Sequence, residues 1–160
     1  MKETSKSTSD STIEINIRAL QKEEIEVFKK MNLQFYQEID FDYNAEEYND
    51  IVSNFLTKGE IIVAVVSNKI IGFVTYIVTN AIYAKGNLGV INELYIVPDF
   101  RSKKVGKKLI DYVFLIAKKE GWKRIELDTP RPDVSEKALN FYLNEGYVIS
   151  GFRMKKSINS

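Results

Sequence analysis

Residues 97–109 read V-P-D-F-R-S-K-K-V-G-K-K-L. An apolar, β-branched run over 88–97 enters this stretch, and a helical apolar pattern leaves it over 103–120. It is therefore a junction where a strand ends and a helix begins. The first turn of a helix carries N–H groups with no partner inside the helix, and the helix dipole adds positive character there. Such a junction suits a phosphate. Arg101, Lys103, Lys104, Lys107 and Lys108 crowd it. Lysines at that end oppose the dipole by roughly 0.3–1 kcal/mol each, and a bound polyanion would reverse the sign. Gly106 costs about 1 kcal/mol relative to Ala in a helix, and it would let a bulky anion approach the backbone. The plainer alternative is a basic helix start with an incidental glycine.

The elements on either side set the fold. Residues 13–17 alternate apolar and polar and predict a first strand. Helical spacing follows over 22–39, through Ile25, Phe28, Met31 or Leu33, and Phe35. It returns over 45–57 through Tyr48, Ile51, Val52 and Phe55, with Gly59 expected as the C-cap. Runs at 60–67 and 70–79, separated by Asn68-Lys69, predict a tight hairpin. A loop at 80–87 containing Gly86 leads to the strand at 88–97. The helix at 103–120 would bury Val105, Leu109, Val113 and Ile116 or Ala117, and Gly121 stops it. A short strand follows at 124–127. Asp133-Val134-Ser135-Glu136 reads as a capping box opening a helix that buries Ala138, Leu139, Tyr142 and Leu143 and ends at Gly146. Residues 147–156 predict a final strand or bent hairpin. The order β-α-α-β-β-β-α-β-α-β predicts an α/β (α+β) fold. Its mixed, mostly antiparallel sheet holds one parallel pair and has helices on both faces. One domain over 12–160 is expected, with 1–11 as a disordered tail.

Composition narrows the chemistry. The 160 residues contain no Cys and no His. That removes disulfides, thiol nucleophiles, His-based triads and zinc sites built on those ligands. Magnesium held by carboxylates stays chemically open, but no clustered acidic motif calls for a metal. The net charge of +1 gives no overall bias toward nucleic acid or anionic membrane. The apolar runs are too short to span a bilayer. The first eleven residues lack the apolar stretch of a signal peptide, so a cytoplasmic location is expected. Residues 1–60 hold 13 acidic and 7 basic side chains, and residues 61–160 hold 9 and 16, so the halves carry nets of −6 and +7.

The stretch V-P-D-F-R-x-x-x-V-G-K-x-L, followed by A-L-N-F-Y-L-N-E-G-Y at 138–147, closely resembles the GNAT acetyltransferases. The family loop reads Arg or Gln, two residues, Gly, one residue, Gly or Ala. Arg101, Lys104 and Gly106 stand at those places, with Lys where the first Gly is usual. Ala138, Phe141, Tyr142, Gly146 and Tyr147 fall on the family pattern A-x-x-[F/L]-Y-x-x-x-G-[F/Y]. Ser135 stands where the family often has Asn. The resemblance implies acetyl-CoA as co-substrate. Its pyrophosphate would lie on Arg101, Ser102, Lys103, Lys104, Val105, Gly106 and Lys107. Its pantetheine arm would run beside Tyr95, Ile96 and Val97, with Ser135 nearby. It also implies Tyr142 as the proton donor to the departing thiolate.

Glu93 is the candidate base. It lies in an apolar strand, where a lone carboxylate is costly unless paired or used. An ion-paired or edge-facing glutamate is the alternative. Asn92 has the opposite side-chain parity, so only one of the two should face the cleft. A backbone N–H near Ile96 or Val97 is the expected donor to the carbonyl oxygen. Without cysteine, direct transfer is favoured over an acetyl-enzyme. The family's acceptor site is bordered by the two early helices. Here that region carries Glu38, Asp40, Asp42, Glu46, Glu47 and Asp50 with Tyr36, Tyr43 and Tyr48. Tyr36, Asp40, Asp42 and Tyr76 are the substrate-binding candidates, and a cationic amine is favoured. An ordinary acidic helix surface is the alternative.

The expected activity is acetyl transfer to a primary amine, with a cationic small molecule as the leading acceptor. The rivals are a protein lysine or N-terminal acetyltransferase and a non-catalytic acyl-CoA-binding regulatory module. A nucleic-acid partner is disfavoured, because the lysine cluster is short and lacks stacking aromatics. A monomer or homodimer is expected.

Overall fold

The computed structural model describes residues 13–41 and 43–158. The expected tail at 1–11 and the candidate Asp42 lie outside them. Five strands form one sheet in the order β1-β2-β3-β4-β5. They are β1 (Asn16–Ala19), β2 (Gly59–Val66), β3 (Lys69–Ala81), β4 (Gly86–Ile96) and β5 (Arg124–Leu127). The first four pair antiparallel in sequence, and β4 pairs β5 in parallel. Four helices flank the sheet: α1 (Ile25–Glu38), α2 (Ala45–Phe55), α3 (Val105–Glu120) and α4 (Pro132–Asn144). This is the mixed, helix-covered sheet expected from the element order.

The β2 run G-E-I-I-V-A-V-V is nearly continuous in apolar residues because helices cover both faces. Ile61, Val63 and Val65 pack with Phe28 and Met31 of α1 and Tyr48 and Val52 of α2. Ile62 and Ala64 pack on the other face with Val105, Leu109, Ile110 and Val113 of α3. Leu109 and Val113 are fully buried, as their spacing predicts, and Phe141 and Tyr142 of α4 pack against the same core.

Several local expectations shift. β1 begins at Asn16 rather than 13, because β2 offers partners only from Ile62 to Val65. The β2–β3 hairpin turns on Ser67-Asn68, not Asn68-Lys69. Both have positive φ (47° and 62°), the geometry of a type I′ turn. Gly59 is not a C-cap but opens β2. A Cβ there would lie 2.2 Å from the Phe55 ring, so the site needs the missing side chain for packing. Asp133 makes no capping bond. The chain kinks at Ser135 (φ −155°), whose Oγ accepts the Ala138 N–H at 3.3 Å and caps the rest of α4. Leu143 is 43% exposed, and Phe141 takes the inward place. Residues 147–158 form no strand, and Val148, Phe152 and Met154 are exposed. Arg153 ion-pairs with Asp128 just past β5.

Candidate active site

The pairing of β4 with β5 runs from Leu88↔Arg124 to Ile91↔Leu127 and ends there. The next residue, Asn92, is the extra one of a β-bulge, since Tyr76 pairs with Ile91 and Thr75 with Glu93. A bulge bends its strand and sharpens the twist. β4 therefore runs on past the end of β5 with one edge open. The Val97 N–H bonds the Ile71 carbonyl at 3.0 Å, so of the two expected donors Val97 is already committed. Strand alternation turns the N–H groups of Leu94 and Ile96 to the open edge.

Beyond this edge the chain makes a 3-10 turn at Pro98–Phe100 and enters α3. The Arg101 N–H reaches the Pro98 carbonyl, and the first helical bond runs from Lys108 to Lys104. Among the described residues, the amides of Ser102, Lys103, Lys104, Val105, Gly106 and Lys107 bond no other backbone group. Ser102 and Lys104 both sit at φ 61°, the left-handed region. Lys104 thus adopts the conformation that glycine would take at no steric cost, against roughly 1–2 kcal/mol for other residues.

The basic side chains divide in two. Lys107 bonds Glu145 at 2.7 Å and Asp111 at 3.1 Å, tying α3 to α4. Arg101 turns away from the free amides. Its Nε donates to the Ile96 carbonyl at 2.8 Å and its Nη2 to Glu38 at 2.6 Å, with the guanidinium over the Tyr95 ring. Lys103, Lys104 and Lys108 make no ion pair with a described residue. Six free amides beside three such lysines fit a polyphosphate group. Val105 is 1% exposed, so its side chain takes no part.

Gly106 has a packing reason beside the expected anion approach. A Cβ there would lie 3.3 Å from the Phe141 ring and 3.9 Å from Leu94. The two sequence motifs, loop and late helix, meet at this contact. Next to Phe141, the Tyr142 ring packs edge-on against Phe141 (5.0 Å) and Tyr147 (5.6 Å). Burial, with Tyr147 beside it, pushes the Tyr142 hydroxyl up to about 12. The hydroxyl has no hydrogen-bond partner among the described residues, and none of their buried polar side-chain atoms is left unpaired. It therefore keeps contact with solvent. Ser135 uses its oxygen as a cap and retains its own proton for a partner.

On the α1–α2 face, Glu93 turns into a cleft of about 60 Å³. Tyr36, Tyr43, Tyr48, Phe55, Asn32 and Thr75 are among its walls. The Tyr36 hydroxyl donates to Glu93 Oε1 at 2.8 Å, and the Thr75 hydroxyl donates to Oε2. Thr75 Oγ1 also accepts the Glu93 N–H at 3.1 Å. Burial, then the Glu93 charge, pushes the Tyr36 hydroxyl far up, so it stays a neutral donor. Tyr48 donates to buried Asn32 at 2.8 Å. The structure thus brings Glu93, the candidate base, together with Tyr36, a substrate-binding candidate. Thr75 and Asn32 were not singled out. The signal of Thr75 was a polar residue inside the apolar run of β3, and that of Asn32 a polar residue four places after Phe28 and before Tyr36 on the inward side of α1.

Other candidates fall elsewhere. Tyr76 is not in this cleft. It follows Thr75 on the strand, faces the α3 side and packs on Trp122 at 5.4 Å. Tyr95 is 4% exposed, and its side chain points to the α1 face, donating to Glu38 at 2.7 Å. Its N–H and C=O turn toward β3 by the same alternation, so it offers the open edge no polar group. Burial raises its hydroxyl to about 12, with Glu38 adding to the effect. For Glu38, burial acts upward, but the bonds from Tyr95 and Arg101 outweigh it and hold the carboxyl low. Asp40 is exposed at the turn ending α1, at φ 55°. Glu46 and Glu47 occupy the first turn of α2, where acids favour the helix dipole.

The bulged β4 thus outruns its parallel neighbour, with a helix-opening loop of free amides beyond it. The acetyltransferase (GNAT) family model matches residues 23–147, and the chain belongs to that family. No curated protein matches the sequence. Among solved structures, a transcriptional regulator from Bacillus halodurans C-125 is 20% identical, with a TM-score of 0.78, covering 91% of this chain and all of its own. A putative acetyl transferase from Pyrococcus furiosus is 24% identical, with the same coverage and a TM-score of 0.75. A ribosomal-protein-alanine N-acetyltransferase from Brucella melitensis biovar Abortus 2308 is 19% identical, again with that coverage and a TM-score of 0.74. These likenesses establish the fold.

Proposed function

We propose that this protein transfers the acetyl group of acetyl-CoA directly to a primary amine. One observation carries the reading: the bulge at Asn92 both opens the β4 edge and turns Glu93 into its own cleft. The amides of 102–107, with Lys103, Lys104 and Lys108, would hold the pyrophosphate. The open edge at Leu94 and Ile96 would hold the pantetheine arm as an added strand. Acetyl-CoA, when bound, supplies a thioester whose acetyl carbon an amine can attack.

The chain's own groups then have three tasks. Glu93 takes a proton from the acceptor ammonium, directly or through water. A β4 amide, Leu94 or Ile96, donates to the oxygen that gains charge. The Tyr142 hydroxyl, protonated well beyond neutral pH, gives its proton to sulfur. With no cysteine in the chain, no thiol is present to carry the acetyl group between donor and acceptor.

The test is thiol release from acetyl-CoA across a panel of amines. Turnover is expected, and Tyr142→Phe should lower kcat while leaving the acetyl-CoA KM near its original value. Binding of acetyl-CoA without turnover on any amine would overturn the reading.

A further inference from the structure

Glu93 has an unusual set of neighbours. Each carboxylate oxygen receives one hydroxyl, from Tyr36 and from Thr75. Both donors are neutral, and no Lys or Arg among the described residues pairs with it. A half-buried carboxylate without a cation is costly, so the charge itself favours an arriving ammonium. The remaining walls are chiefly carbon, namely the rings of Tyr36, Tyr43, Tyr48 and Phe55 with Ile51 and Val52. Aromatic faces favour a cation as well. Two of the three tyrosine hydroxyls are already committed, Tyr36 to Glu93 and Tyr48 to Asn32 and the Lys29 carbonyl. Few donors or acceptors are left for a polyhydroxylated substrate.

Size adds a second limit. At about 10–15 Å³ for each water-sized group, a 60 Å³ cleft holds roughly four to six non-hydrogen atoms. That matches the ammonium and the last methylenes of an alkyl chain. It does not match an amine carried directly on a sugar ring.

We infer that the acceptor is a primary ammonium at the end of an unbranched alkyl chain, selected by the narrow aromatic cleft over Glu93. The inference rests on the transferase reading above and fixes its substrate class. The chain could belong to a free polyamine or to a lysine side chain, which share this chemistry.

The experiment measures kcat/KM for acetyl-CoA-dependent thiol release with four acceptors: spermidine, a lysine-containing peptide with a blocked N-terminus, glucosamine 6-phosphate and an aminoglycoside. Spermidine or the peptide should exceed both amino sugars by about tenfold or more, the scale on which pocket fit discriminates. Which of the two leads identifies the source. Ile51→Ala widens one wall at a partly exposed position and should shrink that ratio. Amino sugars turned over as well as or better than both linear amines would overturn the inference while leaving the transferase reading intact. No turnover with any acceptor would overturn both.

Discussion

At the scale of single residues, Lys104 and Glu93 carry opposite lessons. Lys104 holds a left-handed conformation beside the free amides, and its ammonium makes no ion pair with a described residue. Lys104→Gly removes the strain, worth roughly 1–2 kcal/mol, and adds unfolded-chain entropy of about 0.4–1 kcal/mol. Stability in urea should therefore stay level or rise by up to about 1 kcal/mol. Affinity for CoA should fall and depend less steeply on salt, read by calorimetric titration at two ionic strengths. An unchanged salt slope would show that the ammonium does not reach the ligand. Glu93→Gln keeps the shape of the side chain that Tyr36 and Thr75 grip but loses the charge. We expect kcat to fall by about 10²–10⁴ with unchanged thermal stability, the range of one acid–base group. A rate within a few fold of the original would remove Glu93 as the base. Glu93 was legible in the sequence because a carboxylate in an apolar run demands a reason. Its partner Thr75 was not, because Thr is also a common strand former. The contact of Arg101 with Glu38, 63 residues away, was not legible, because no local pattern announces it.

At the scale of elements, the β3–β4 contact decides where the site's backbone lies. A Cβ on Gly72 would sit 2.7 Å from both the Tyr95 carbonyl oxygen and Ile96 Cδ1. Gly72→Ala should cost roughly 1–3 kcal/mol, the range for overpacking, because backbone rather than a flexible side chain must give way. Gly106→Ala is milder. It gains up to about 1 kcal/mol of helix preference and displaces only the Phe141 ring, 3.3 Å away. Urea midpoints for the two variants should separate clearly, and similar values would contradict this view of the β3–β4 packing. Strands and helices with strong periodicity were legible from sequence, α3 above all. The hairpin turn was displaced by one residue, because positive φ at Ser67 and Asn68 leaves no glycine to mark it. The bulge at Asn92 was not read from the sequence: Asn92 and Glu93 stand as adjacent polar residues in the run, but neither residue type says that one of them is extra. Tyr76, expected in the acceptor site, belongs to the opposite core because it follows Thr75 on a strand whose side chains alternate between faces.

At the scale of the whole molecule, buried tyrosines link the two cores to pH. Burial raises Tyr76, Tyr95, Tyr142 and Tyr147 from 10.0 to about 12. Each holds its proton more tightly in the folded state than in the unfolded one. Their contribution is therefore complete below pH 10 and is lost as pH rises from 10 to about 12. Tm should stay near a plateau below pH 10 with respect to these groups and fall steeply above it. A flat profile through pH 12 would contradict their burial. The overall architecture was legible because element order alone restricts the sheet to few topologies. The expected last strand failed because residues 147–158 pair with no strand, whatever their own apolar content. What unites the molecule is the claim that a CoA thioester lies on the 102–107 amides and along the open edge of β4. Titrating CoA into isotopically labelled protein and following backbone amide signals tests that directly. The amides of Ser102 to Lys107, with Leu94 and Ile96, should shift first and furthest. Saturable CoA binding that leaves those amides unmoved, or no binding at all, would contradict the account.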